Sequence, residues 1–123
     1  MTDDELIEKW LSIFGDRVDK GLIEEYVTSY GNHLWHLFSW KLVPCLEGDE
    51  ARTEFNKLEY LKAIKFYDGH SKHIEDISTV SKVSVDELDH DPGNDVYIVA
   101  QDFSWTYVRT HEDCCGPYLC IKK

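Results

Sequence analysis

Apolar positions near the start of the chain recur on a helical period. Leu6, Ile7, Trp10, Leu11 and Phe14 fall on one stripe of a 3.6-residue repeat. Thr2, followed three residues later by Glu5, carries the capping-box signature in which each side chain satisfies a backbone N–H of the first turn. Gly15 stands where a left-handed residue would close the helix. Leu22, Ile23, Tyr26, Val27 and Tyr30 repeat the spacing and Gly31 follows, so the pattern predicts two short helices in a hairpin that buries both stripes.

From residue 33 the periodicity is double-valued. His33 to Val43 fits a helical stripe through Leu34, Leu37, Phe38 and Leu42, but its Trp and Phe residues occupy both faces and Pro44 ends it, which favours a central strand. Acids at Glu47, Asp49 and Glu50, then Ala51, Phe55 and Leu58 at helical spacing, predict a helix over about 48–59. Leu61 to Tyr67 alternates and stops at Asp68-Gly69, a strand bounded by a turn. Residues 70–85 mix helical and extended signals, and the run from Asp86 to Asp95, punctuated by Pro92, Gly93 and Asn94, reads as a loop. Val96 to Gln101, Phe103 to Thr110 and Tyr118 to Ile121 then predict three sequential strands in a meander. The expected class is α+β, one domain over residues 1–123 comprising an N-terminal helical hairpin, a strand-helix-strand unit and a C-terminal antiparallel meander.

Composition narrows the function. Thirteen Lys and Arg against 24 Asp and Glu leave a net charge of −11, which removes the electrostatic basis for phosphate-backbone binding and so argues against nucleic acid. No apolar run approaches the ~18 residues of a membrane span, and the opening residues are acidic, so the chain reads as cytoplasmic with no membrane partner. Nothing in the pattern specifies an oligomeric state. Four cysteines in such a chain are expected as free thiols rather than a disulfide framework.

The acids are not evenly spread. Between Val83 and Val108 there are six of them, Asp86, Glu87, Asp89, Asp91, Asp95 and Asp102, with no Lys or Arg. Together with Trp105 as an aromatic anchor, these residues form the expected contact surface for a basic protein partner. The run is not an EF-hand, because placing Gly93 at the sixth position puts Leu88 at the first.

A second chemistry competes with that surface. His111, Cys114, Cys115 and Cys120 offer zinc the right donor atoms, although adjacent Cys114 and Cys115 diverge more than the two thiolates of a Cys-x-x-Cys knuckle. The preferred reading of the cluster is a solvated turn with buried free thiols and no cofactor. His33 with His36, and His70 with His73, are spaced His-x-x-His; on a strand His33 and His36 point to opposite faces and share an ion only if the run is helical, and His70 and His73, just after the Asp68-Gly69 turn, read as solvated histidines. Cys45 lies among carboxylates that oppose a reactive thiolate, and no nucleotide-binding loop, nucleophile elbow or His-Glu-x-x-His helix is present. No catalytic residue is therefore assigned.

Two segments carry a resemblance, Trp35 to Phe55 (WHLFSWKLVPCLEGDEARTEF) and Val96 to Pro117 (VYIVAQDFSWTYVRTHEDCCGP). The chain resembles an uncharacterised family of small bacterial proteins of the kind found in Bacillus-type genomes, a domain of unknown function that implies no activity. The Asp-Phe-Ser-Trp-Thr hairpin with the His-Glu-Asp turn after it is also loosely similar to small acidic immunity proteins that neutralise bacterial toxins. That likeness implies a basic toxin as the partner.

Overall fold

A capping box between Thr2 and Glu5 opens helix α1 (Asp3–Phe14), and Gly15 follows it. The computed structural model describes residues 2–29, 33–70, 73–93, 95–112 and 116–122, the side chains of residues 69, 70 and 73 excepted. Gly15 has φ −108°, so it is not the left-handed closure expected. Its lack of a side chain serves packing instead, since a Cβ would press on the Leu11 carbonyl and on Ile23 and Leu37. Asp19 caps α2 (Lys20–Ile23), which widens into a π-helical turn over Glu24–Thr28. The second half of the predicted hairpin is thus a short α-turn and a π-turn.

The expected strand over 33–43 is instead a compact connector containing α3 (His36–Ser39). Its apolar residues Leu34, Trp35, Leu37 and Phe38 are all buried, which a coiled connector achieves as well as a two-faced strand. Next come β1 (Leu46–Glu47), α4 (Asp49–Lys57), β2 (Ala63–His70) and β3 (His73–Val80). Residues 85–89 are not the expected loop but α5 (Val85–Asp89), capped by Ser84 and Glu87 in a second capping box. The acids there do not repel one another out of the helix, because Asp86 and Glu87 lie in its first turn at the positive end of the dipole. Strands β4 (Val96–Ala100), β5 (Trp105–Arg109) and β6 (Tyr118–Ile121) form the predicted meander.

The six strands make one antiparallel sheet in the order β1-β6-β5-β4-β2-β3. The class is α+β, with helices leading and strands closing the chain. Helical elements cover both faces, which is why every residue of β4 is buried. Tyr97, Val99 and Val108 face a core shared with Leu6, Trp10, Phe14 and Phe38. Val96, Ile98 and Tyr107 face the other way, against Phe55 of α4 and Leu88 of α5. Trp10 fixes α1 to the sheet by donating from Nε1 to Thr106 Oγ1 at 3.1 Å, and Thr106 donates in turn to the Ile98 carbonyl. At one margin, the ladder between β2 and β3 slips where Asp76 takes a left-handed φ of 55°.

Candidate functional site: a His–Asp cluster

The central strands end together, and the candidate site lies at that end. Asp68 is on β2; its N–H donates to the Asp95 carbonyl at 3.1 Å, extending the β2–β4 ladder by one step. Asp95 precedes β4, and His111 follows β5 two residues after Arg109, which pairs with Val96. Three strands in register therefore deliver two carboxylates and an imidazole to one corner. His33 arrives from the connector before α3, which is tied down where the Leu34 N–H donates to Asp68 Oδ2 at 2.8 Å.

Asp95 is 1% exposed and lies between two imidazoles. Its Oδ1 accepts the His111 backbone N–H at 2.9 Å and meets His111 Nδ1 at 2.8 Å. Its Oδ2 lies 3.3 Å from His33 Nδ1 but accepts no hydrogen bond. Asp68 Oδ2 accepts from the Tyr97 hydroxyl at 2.7 Å, while its Oδ1 is also buried without a hydrogen bond. Burial raises the Asp68 carboxyl above its ordinary range, against the lowering pull of Tyr97 and Leu34, and burial pushes the Tyr97 hydroxyl well up. Trp35 lies buried beside the group, nearly parallel to His33 at 5.6 Å between ring centres and stacked on His36 at 4.4 Å. Burial first, then the neighbouring His33, lowers the His36 imidazole.

This arrangement has the ingredients of a metal centre. Ligand atoms of His33, Asp95 and His111 all lie within 4.8 Å of one another. An ion with bonds of about 2.0–2.2 Å holds tetrahedral donors about 3.3–3.6 Å apart, a spacing that His33 Nδ1 and Asp95 Oδ2 already have at 3.3 Å. Two buried carboxylates also need positive charge close by. Among the described residues, the ion-pairing partners of Asp68 and Asp95 are imidazoles.

The sequence-predicted residues are distributed differently from expectation. Of the His/Cys set, His111 is in the cluster. Cys120 is buried in the core under α1, with Sγ directed at the Pro44 carbonyl 3.8 Å away, and is not among the converging donors. Cys114 and Cys115 lie outside the described residues, as do the side chains of His70 and His73. Burial pushes the Cys120 thiol up to about 11 and the Cys45 thiol up to about 12, so neither is a thiolate at neutral pH.

The acidic set is also split. Asp95 is internal. Asp91 is held by Lys65 Nζ and the Tyr67 hydroxyl, both at 2.9 Å. Asp89 pairs with Arg52, Asp102 caps the turn at Ser104, and Asp86 and Glu87 are exposed on α5. Trp105, at 6% exposure, packs on Phe55 and Tyr60 and is not available as the exposed anchor expected of it. Arg109 gathers the segment from within by donating to the carbonyls of Leu88, Asp91 and Gly93. Asp91 and Asp95 are thus drawn inward, while Asp86, Glu87, Asp89 and Asp102 stay exposed.

Sequence reasoning singled out His111 and Asp95 in different roles, and weighed His33 only with His36. Asp68 and Tyr97 were missed; their one local signal was a carboxylate ending an apolar strand and a tyrosine inside one.

Among the described residues, no helix is long and apolar enough to cross a membrane. Comparison with curated proteins and with solved structures found no match. A family model described as "Domain of unknown function (DUF4275)" matches residues 6–119, and the chain accordingly belongs to that family.

Proposed function

We propose that this protein binds a divalent transition-metal ion of the zinc class through His33, Asp95 and His111. The observation that carries the reading is Asp95 Oδ2, a carboxylate oxygen buried between two imidazoles with no hydrogen-bond donor of its own. Two imidazoles and one carboxylate form a ligand set with coordination positions left over. Such an ion, when bound, supplies Lewis acidity to a water or carbonyl oxygen. The chain's own residues orient the donors. Asp68 anchors the connector that carries His33, the backbone of His111 is fixed by Asp95, and Trp35, itself buried, backs the His33 ring.

Zinc titrated calorimetrically into protein stripped by chelator tests this. One equivalent is expected to bind, with affinity falling by at least about a hundredfold in His33→Ala and in Asp95→Asn. Unchanged binding in both variants, or no binding to the parent, defeats the reading. Asp68→Asn, which alters a positioning residue, is expected to weaken affinity by about 10–100-fold.

A further inference from the structure

The expected hairpin does not close. Between α1 and the Lys20–Thr28 segment runs a groove of about 610 Å³. Its floor is apolar: Ile7 is buried, while Leu11, Val18 and Ile23 are only half-buried and face the opening. Ile23 and Thr28 both line it, although residues five apart on an α-helix lie about 140° apart. The wider π-turn over Glu24–Thr28 brings them to the same side, so this irregular register shapes the groove wall.

We propose that this groove docks a basic amphipathic helical segment of a partner protein. Both walls are helical and neither is a sheet edge, so recognition runs through side chains rather than through strand addition. The 12 residues of α1 span about 18 Å, the length of a segment of about three turns. Asp4 and Glu8 stand exposed along the rim, with Asp16 at its end in an ion pair with Lys122. Lys20 is the basic residue on the opposite wall. Residues 2–29 carry eight acids against three bases, a net of −5, so the field around the groove favours a cationic visitor. A second copy of this chain is a poor occupant, because its own α1 and α4 begin with acids that would meet like charge. The groove is separate from the His–Asp cluster, and this inference stands or falls independently of metal binding.

The test uses a synthetic 14-residue amphipathic Leu/Lys helix and its Leu/Glu counterpart, titrated into the 123-residue chain and followed by amide NMR shifts. Saturable shifts concentrated on residues 7–15 and 18–28 with the Leu/Lys peptide alone are expected. Affinity should fall by at least about tenfold in Asp4→Lys/Glu8→Lys, an exposed double change that leaves the core untouched. Leu11→Asp should abolish the shifts, and if that variant unfolds the charge-reversal variant still decides. Shifts confined to the Asp86–Asp102 region, equal binding of the Leu/Glu peptide, undiminished affinity in the double variant, or no saturable binding each overturn the proposal.

Discussion

Asp95 holds His111 at two points, accepting its backbone N–H and meeting its ring Nδ1 through the same oxygen, at 2.9 and 2.8 Å. The double attachment fixes both the start of the turn after β5 and the direction of the imidazole. It also leaves the other oxygen of Asp95 facing His33. A carboxylate used in this way is spent on orienting donors rather than on surface charge.

The first prediction concerns zinc and stability. An ion held only by the folded state raises stability by RT ln(1 + [L]/Kd), about 2.7 kcal/mol at a hundredfold excess over Kd. Thermal denaturation with and without zinc is expected to show that gain in the parent and in Cys120→Ser, whose sulfur faces Pro44. His111→Ala should show none of it. A gain lost in Cys120→Ser but kept in His111→Ala would return the ligand set to the C-terminal thiols.

Tyr97→Phe keeps the ring stacked on Phe66, centres 4.8 Å apart, but removes the hydroxyl that donates to Asp68. The Asp68 carboxylate is then buried with one donor fewer. A loss of about 1–3 kcal/mol is expected, read from the shift in denaturant midpoint at an unchanged slope.

Asp91 gives a pH signature. Burial alone would raise its carboxyl, but the Gly93 N–H, Lys65 and the Tyr67 hydroxyl outweigh burial and hold it below the ordinary 3.8. A carboxyl lowered by folding contributes stability above its unfolded value and loses that contribution as pH falls through the folded one. Asp91→Asn should therefore cost about 1.5–3 kcal/mol at neutral pH, with the difference from the parent shrinking in acid below about pH 3.8. Urea melts of both proteins across that window provide the check, and a pH-independent difference would contradict it. The same contacts mean that mutating Asp91 to probe a partner surface would report on folding instead.

Gly93 lies against the Tyr67 ring so closely that a Cβ there would overlap it. Gly93→Ala must displace Tyr67 and with it the hydroxyl's bond to Asp91. Destabilisation of about 1–3 kcal/mol is expected by thermal or urea melts. In a Tyr67→Ala background the further change Gly93→Ala should cost much less, since the steric cause is then gone.

Much of the scaffold was legible because local and global preferences agree there. Thr2 and Glu5 announce α1, and β4 to β6 are rich in β-branched and aromatic residues that the buried sheet uses. Ser84 and Glu87 carry the same capping pattern as Thr2 and Glu5, but the acid run around them masked it. In residues 33–43, aromatics on both faces read as a covered strand, whereas the chain buries them in a connector with one helical turn. The site was the least legible part. His33, Asp68, Asp95 and His111 meet only through strand register and the Leu34 bond to Asp68, relations that spacing along the chain does not encode.

The margins of the sheet bear on how the molecule behaves in a crowd. One is β1, only two residues long; the other is β3, kinked by its bulge at left-handed Asp76 and carrying exposed Glu75 and Asp76. Long, flat, uncharged borders invite a neighbouring chain to add a strand and seed aggregation. Here one border is too short and the other too bent and too acidic to serve as such a template. A change that straightened β3, or replaced both acids with β-branched residues, would expose the sheet to self-association at concentrations the parent tolerates.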